Sequence, residues 1–569
     1  MVDSAAAATL RAWRHGWVAV ALVSIAGLGL RSLIPAYVVW NSPHDDESFV
    51  RSAAALLDGR WVGSWADHPD VPHIALAKGP GYGLFLATIR DTGLPPQVAA
   101  YVIYLLGGLL VAVALRPHLA TRWFVSLYTL LALNPVVFSH YFSQVYRDQL
   151  IAALALLCVG VAVTLARRYA RTDAVSPRRL AATAGGTVAL GLLFGIVRIT
   201  RSDAVWVLLA SVLVFVLIVG APRPGRRVWL VAASGIAFVG LLTAAVPQGV
   251  ALLNERWHGV RIADDYSEGS FAEAMTLWAA VSVPGDGGFP YITAAHRVAV
   301  YEVSPTARRL TDELENMESF WIDHSCRQLE GTVNVCEDYG PYAVWAIRDA
   351  AVRAGVDSPA SFQDFFGAVA DEIERACASG ALECRPSGLA PGIPRVDSIP
   401  KRVTAANVAS YVMGALTYRM GTATQTLPTD GDPAVAIWDS TVNGSRTGAA
   451  LIEAGNYPSV VAQQEAVSLL GTLYGWLTVP GLVAAAWALL SGRLWRSHLG
   501  QLGLAVLVSW AANVAIISAF HATGNRHEVG MPLYTMPSQS YLLLGLVLSA
   551  AALTASWRPV LNRRLDGPA

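Results

Sequence analysis

Charge is what this sequence has least of. Asp, Glu, Lys and Arg together supply 14% of the 569 residues, against 54% hydrophobic ones. A soluble domain carries roughly a quarter charged residues, so lipid must replace water over much of this chain's exterior. Length alone leaves room for several soluble domains, but the apolar runs leave room for only one. The sequence also has no Walker motif, dinucleotide fingerprint, serine-hydrolase elbow or HExxH, which removes the chemistries those motifs encode. Nothing in it supports nucleic-acid binding. The five cysteines do not have the spacing of a zinc site.

What is present is hydrocarbon, in runs long enough to span a bilayer: near 16–40, 96–115, 119–138, 149–167, 182–199, 203–221, 228–247, 467–490, 499–519 and 536–556. A crossing helix needs about 20 such residues, with every backbone polar group satisfied within the segment. The expected fold class is therefore an all-α polytopic membrane protein of about ten transmembrane helices. The first run is too long for a secretory signal core and lacks a convincing cleavage site, so it counts as a span.

Charge distribution gives the orientation. With the N-terminus in the cytoplasm, Arg11, Arg14, Arg116, Arg122, Arg167, Arg168, Arg171, Arg178, Arg179, Arg223, Arg226, Arg227, Arg493, Arg496, Arg558, Arg563 and Arg564 all fall inside, against the acids Asp3, Asp173 and Asp566. This satisfies the positive-inside rule and predicts a multipass protein of a bacterial plasma membrane with both termini cytoplasmic. Three parts follow: a membrane module over 1–247 with seven helices and a first outer loop at 41–95, an extracytoplasmic segment over 248–464, and a membrane module over 465–569 with three helices. The middle segment holds 27 acids against 15 bases and reads as mainly helical, with helix-like stretches near 293–320, 342–355, 362–380 and 403–420. Cys326, Cys336, Cys377 and Cys384 lie in it, where disulfides persist; sequence proximity suggests pairing 326 with 336 and 377 with 384. Cys158 lies within a span and reads as a small core residue.

Candidate chemistry gathers on the outer side. His44, Asp45, Asp46 and Glu47 stand at the start of a helical stretch, Ser48 to Leu57, closed by Gly59. One acid there would cap the helix and favour its dipole. Three acids and a histidine exceed that need. They suit a general base, because like charges raise a carboxylate pKa, or a divalent cation held by oxygen ligands with His44. Asp67, His68, Asp70 and His73 form a weaker metal-type group that a solvated loop explains better. Lys78, before the Gly79-Pro80-Gly81 turn, either pairs with an anionic head group or snorkels. The short outer turns each bring an arginine to the membrane face: Arg147 beside Asp148, Arg198 and Arg201 near Asp203, and Arg526 before His527 and Glu528. Arginine's planar fork matches phosphate geometry, although such residues also anchor helices. Trp278, Trp321, Trp345 and Trp438 suit either sugar stacking or core packing. Asn443-Gly444-Ser445 fits an N-glycosylation pattern.

The order Asp46-Glu47, an alanine-rich stretch from Ala53 to Leu57 ending near Gly59, then Lys78-Gly79-Pro80, resembles the GT-C superfamily of membrane glycosyltransferases. The resemblance is to the branch of protein mannosyltransferases, aminoarabinose transferases and arabinofuranosyltransferases. It covers roughly residues 16–220, with a weaker echo from Arg526 to Pro537. This chain differs in having Ala77 where an acid precedes the lysine, Gly79 for the first proline, and its large outer segment between predicted spans seven and eight. The resemblance implies an inverting transfer of a sugar from a polyprenyl-phosphate donor to a glycan, lipid or protein acceptor in the cell envelope. Asp46 would be the base, assisted by Asp45 or Glu47, and Lys78 and Arg526 would contact the donor phosphate. The alternatives are a lipid-linked oligosaccharide or phosphoglycerol transferase and a non-enzymatic envelope-polymer transporter or scaffold.

Overall fold

The computed structural model describes residues 2–34, 36, 46–62, 76–169, 177–220, 226–284, 292–316, 339, 343–385, 401–418, 433–443, 458–492, 497–523 and 533–565. Length and hydropathy decide its first layer. Helices α1 (Val2–Ser32), α2 (Asp46–Leu57), α3 (Gly81–Arg90), α4 (Pro96–Leu115), α5 (Thr121–Ala132), α6 (Arg147–Tyr169), α7 (Pro177–Thr200), α8 (Val205–Gly220) and α9 (Arg226–His258) form the N-terminal part. Among the described residues, eight helical segments are long and apolar enough to cross a membrane: His15–Ser32, Pro96–His118, Arg147–Tyr169, Ala181–Thr200, Leu230–His258, Val467–Leu490, His498–Ala522 and Leu533–Thr554.

The runs near 119–138 and 203–221 form shorter helices. Pro135 cannot donate a backbone hydrogen bond, so α5 stops at Ala132 and a 3-10 turn, Pro135–Phe138, follows. The Asn134 side chain caps that turn by accepting from Val136 N at 3.2 Å. The apolar helix α8 spans 16 residues. Among the described residues there is no β-strand; Val281 and Cys384 form an isolated bridge.

The spans pack into one hydrophobic cluster running from Val20 to Ala552, with α4 laid along α6 and α7 along α9. Leu22, Ile25, Leu241, Leu469, Val483 and Leu490 point outward from it, as lipid-facing residues do. Cys158 is buried in this cluster with a free thiol.

A second cluster stands apart from the first. Helices α10 (Gly269–Ala280), α11 (Ala294–Val303), α12 (Ala343–Arg353) and α13 (Pro359–Ser379) bury Phe271, Trp278, Phe362, Phe366 and Ile373 against one another. Ser358 and Ser361 form a capping box at the start of α13, and Gly380, at φ 74°, ends it in the left-handed conformation. The reversed chain brings Cys384 back to Cys377, and the two form a disulfide with Cα atoms 5.5 Å apart. Cys326 and Cys336 lie outside the described residues. The unit, here called the cap, is tied to the chain ahead of Lys78 by Asp265 N, which donates to Leu76 O at 2.9 Å. The end of α9 that leads into it is held to the chain after α2, with Trp61 Nε1 donating to Asn254 Oδ1 at 2.6 Å and the His258 ring meeting Val62 O at 2.7 Å.

Helix α14 (Lys401–Thr417) leans on the C-terminal spans α16 (Pro458–Leu490) and α17 (His498–Thr523), while α15 (Pro433–Thr441) rests on α2. Just beyond α15, Asn443 caps the end of α3. Its Nδ2 donates to Ile89 O, Arg90 O and Leu94 O at 3.1, 2.9 and 3.2 Å, and its Oδ1 accepts from Arg90. The amide nitrogen of the glycosylation-type motif is thus engaged with α3.

Candidate functional site

Two acids open α2, where the unpaired N–H groups of a first turn favour negative charge. Both are buried: Asp46 is 1% exposed and Glu47 2%. They have different partners. Glu47 accepts from Arg51 Nε, one turn on, at 2.7 Å. Asp46 accepts from Gln144 Nε2 through both oxygens, at 2.9 and 2.7 Å. The Gln144 carbonyl in turn accepts from Gln149 Nε2, which also donates to the Tyr82 hydroxyl. A polar relay thus runs from the head of α2 through the turn before α6 to α3. Burial, then the nearby Asp46 charge, push the Tyr82 hydroxyl well above its ordinary pKa, keeping it protonated.

Lys78 is brought to this relay by the turn that follows it. A Cβ on Gly79 would strike the carbonyl of Ile199, and one on Gly81 would strike Thr200. The two glycines therefore let the turn press its backbone against the end of α7. The Lys78 ammonium then lies 5.5 Å from the Phe49 ring centre, 5.6 Å from Tyr146 and 5.6 Å from Trp345, an aromatic cage for a cation. Burial, reinforced by the Arg147 charge, lowers its pKa well below the usual lysine range. An anion placed beside it would restore the charged form.

Arg147 and Arg201 complete the cationic group, and their roles differ. Arg201 is buried and held by two carboxylates. It pairs with Asp148 through Nη1 and with Asp203 through Nε and Nη2, at 2.8 and 2.9 Å. Burial alone would push the Asp203 carboxyl up, but Arg201 overcomes this and holds it at about 2. The Arg201 guanidinium also lies 5.3 Å from the Tyr534 ring, which faces Tyr146 at 6.4 Å, so the C-terminal module contributes a wall. Arg147 is different: its buried Nε has no hydrogen-bond partner among the described residues, and its guanidinium lies 5.9 Å from the Tyr146 ring. Arg198 donates to Ser202 O at 3.2 Å, bracing the same turn.

The cap reaches this group from the other side. Tyr266 stacks on Trp345, centroids 5.5 Å apart and planes 14° from parallel, and Trp345 is the third ring around Lys78. Asp265 is paired with Arg348, both buried. Arg348 lies 4.7 Å from the centres of both Phe271 and Phe362.

Asp46, Glu47, Lys78, Arg147 and Arg201 are thus brought to one end of the bundle. His44, Asp45 and Arg526 lie outside the described residues, as do Asp67, His68, Asp70 and His73. Among the described residues no group of three or more His, Cys, Asp or Glu side chains has a metal-binding arrangement. Trp278 is a core residue of the cap, whereas Trp345 faces Lys78. Sequence reasoning did not single out Gln149, Tyr82, Tyr266 or Tyr534. Each is an uncharged side chain whose partner lies far along the chain, so no local pattern marks it.

A buried carboxylate next to an amide relay can hold a proton acceptor in a fixed place. Two cations beside the Tyr146 ring, one of them caged by two further rings, can bind an anionic group and oppose charge that develops on it.

No family model matches the sequence, and a search of curated proteins returns no match. Among solved structures, the chain is similar to ArnT from Cupriavidus metallidurans in the apo state, with 14% identity, TM-score 0.31, and coverage of 98% of this chain and 80% of that one. ArnT from the same organism bound to undecaprenyl phosphate gives 13% identity, TM-score 0.27, and coverage of 97% and 81%. The archaeal oligosaccharyltransferase AglB from Archaeoglobus fulgidus, in complex with an inhibitory peptide and a dolichol-phosphate, gives 12% identity, TM-score 0.34, and coverage of 97% of this chain and 52% of that one. This chain thus spans about half the length of AglB. At such values the residues of the site, not the likenesses, carry the functional reading.

Proposed function

We propose that this chain is a membrane glycosyltransferase that moves a sugar from a polyprenyl-phosphate donor to an extracytoplasmic acceptor of the cell envelope, with inversion. One observation carries the reading: a buried carboxylate, Asp46, opens the helix that carries Phe49, a ring facing the Lys78 ammonium, and Lys78 and Arg147 share the Tyr146 ring. Phe49 is one helical turn from Asp46, and both Phe49 and Tyr146 face the Lys78 ammonium. A donor with an apolar tail and an anionic head group would meet hydrocarbon along the spans and cations at their ends.

In this reading Asp46, oriented by Gln144, takes the proton from the acceptor hydroxyl. The hydroxyl oxygen attacks the anomeric carbon from the face opposite the phosphate. The bond from that carbon to the phosphate oxygen breaks, its electron pair stays on the lipid phosphate, and Lys78 and Arg147 oppose the charge that grows there. A lipid-borne activated sugar requires no nucleotide-binding domain on that side of the membrane. The termini would lie in the cytoplasm and the site on the opposite face. Arg526 would add a phosphate contact, and Asp45 or a divalent cation held with His44 would assist Asp46.

The test is sugar transfer by purified protein reconstituted in liposomes, using a panel of radiolabelled polyprenyl-phosphoryl sugars and an envelope extract as acceptor. Asp46→Asn is expected to cut the rate by about 10²- to 10⁴-fold while leaving the unfolding temperature close to that of the parent. Near-parental turnover by the Asn variant would overturn the assignment.

A further inference from the structure

The cap lays two stacked rings beside the cations that would hold the donor phosphate. Trp345 is 5.6 Å from the Lys78 ammonium, and Tyr266 is stacked on Trp345. Tyr266 is 36% exposed, with one ring face taken by Trp345. Burial, followed by the Asp203 charge, raises its hydroxyl pKa, while Arg147 acts in the opposite direction. Tyr266 is therefore within the electrostatic reach of the very turns that carry Arg147 and Asp203. Asp203 itself keeps a carboxylate 47% exposed while it accepts from Arg201.

The two rings are held firmly. Their chain neighbours Asp265 and Arg348 form a buried ion pair, and Asp265 N also donates to Leu76 O at 2.9 Å, two residues before Lys78. Arg348 is itself enclosed by Phe271, Phe362 and Trp345. Trp345 packs on one side against the cap's core, where Phe271, Phe362 and Phe366 pack on one another. It also meets the Lys78 ammonium, so the pair bridges the cap's core and the cationic group.

We infer that Tyr266 and Trp345 form the platform on which the sugar ring of the donor rests, making the cap part of the donor site. The inference rests on the phosphate reading of Lys78 and Arg147. In a glycosyl phosphate the ring is joined to phosphorus by one bridging oxygen. A phosphate beside Lys78 and Arg147 thus puts the ring next to Trp345 and Tyr266. The C–H face of a pyranose or furanose lies on aromatic faces, while its hydroxyls need polar partners, which the Tyr266 hydroxyl and the exposed side of Asp203 supply. The platform determines which sugar is accepted; the cations hold whatever lipid phosphate arrives.

The test separates the two halves by binding alone. Full-length protein in nanodiscs is titrated by calorimetry with farnesyl phosphate and with farnesyl-phosphoryl pentoses and hexoses. Wild type should bind bare farnesyl phosphate, and at least one glycosylated ester about tenfold more tightly. Tyr266→Ala should abolish most of that tenfold gain while leaving the Kd for bare farnesyl phosphate within about twofold. Tyr266→Phe should retain most of the gain. Because Tyr266 is partly exposed, these substitutions leave the cap's core in place. The platform is overturned if no ester outbinds bare phosphate in wild type, if the gain survives in Tyr266→Ala, or if the variants weaken bare phosphate by the same factor. Failure of wild type to bind bare farnesyl phosphate overturns the phosphate site and the platform together, whereas bare binding without any sugar gain removes the platform alone.

Discussion

Arg201 is paired with Asp148 so deeply that both side chains are nearly sealed from solvent, at 2% and 0% exposure. Its remaining donors fork onto Asp203, which ties the turn between α7 and α8 to the head of α6. Removing one partner of such a pair leaves the other charge buried and uncompensated, at a cost of about 3–5 kcal/mol. Asp148→Ala should therefore lower the unfolding midpoint of detergent-solubilised protein sharply. Asp203→Ala should do far less, since that carboxylate is half exposed. Equal losses from the two variants would contradict this division of roles.

Arg147 should behave differently. Its buried Nε has no hydrogen-bond partner among the described residues, and its charge opposes that of Lys78 while favouring the Asp203 carboxylate. Arg147→Ala should therefore cost the unliganded protein much less stability than Asp148→Ala. The same variant should weaken binding of farnesyl phosphate about tenfold or more, the scale of one charge-assisted hydrogen bond. Calorimetry and thermal unfolding on one preparation check both halves, and a loss of stability with unchanged affinity would make Arg147 a structural anchor.

Much of this arrangement was legible in the sequence because charge beside hydrocarbon is expensive. Asp46, Lys78, Arg147 and Arg201 each stand at the edge of an apolar run, and an ionised group is kept there only if it has a partner or a task. The helical stretch from Ser48 to Leu57, whose observed start is Asp46, and its Gly59 ending were likewise visible, as was the pairing of Cys377 with Cys384. What the chain does not reveal locally is which cation meets which anion. Arg201 and Arg147 look alike in sequence, yet Arg201 is filled by Asp148 and Asp203 and Arg147 is not. Gln144 is the partner of Asp46 across 98 residues, and an uncharged amide gives no signal that it orients a carboxylate. Trp345 showed its type but not its direction, because the fold of the cap decides whether a tryptophan faces the core, as Trp278 does, or Lys78.

Gly79 should tolerate no side chain. A Cβ there meets the carbonyl of Ile199, which is backbone and cannot rotate away. Gly79→Ala should therefore shift the turn, displace Lys78 from its three rings and lower both stability and farnesyl phosphate affinity. Gly59→Ala makes a useful comparison, because nothing lies near its Cβ and the penalty comes only from its φ of 74°. Its cost should be about 1–2 kcal/mol, with affinity unchanged. Parental phosphate binding by Gly79→Ala would detach the glycine from the placement of Lys78.

The cap should carry a pH dependence of its own. Burial raises the Asp264 carboxyl to about 6, against hydrogen bonds from Ser267 and with added repulsion from Asp265 and Glu268. Its ordinary value is near 3.8. Between these two values the folded protein holds a proton that the unfolded chain has released, so stability falls as pH rises from about 4 to 6 and stays lower above that. Asp264→Asn should remove this slope and stabilise the cap at pH 7.5, by about 1–2 kcal/mol. Unfolding midpoints measured from pH 4.5 to 7.5 on both proteins check the sign, and a midpoint in the parent that rises with pH while the Asn variant is less stable throughout would contradict it.

The cap's disulfide should matter to the cap and little to the bundle. Cys377 and Cys384 close a loop of seven residues' separation, for which chain entropy gives a stabilisation of about 2–3 kcal/mol. The cap's core, built on Phe271, Trp278 and Phe366, forms a cluster separate from that of the spans, so the loss need not propagate into the membrane. Cys377→Ser with Cys384→Ser should therefore lower the temperature at which a protease cuts within the cap, while the spans keep their helical circular dichroism to the parental temperature. If the cap positions Trp345 and Tyr266 over the donor, partial melting of the cap should also erase the sugar-dependent part of donor binding before it touches the affinity for bare farnesyl phosphate. Simultaneous loss of both affinities with the cap intact to protease would place the coupling elsewhere.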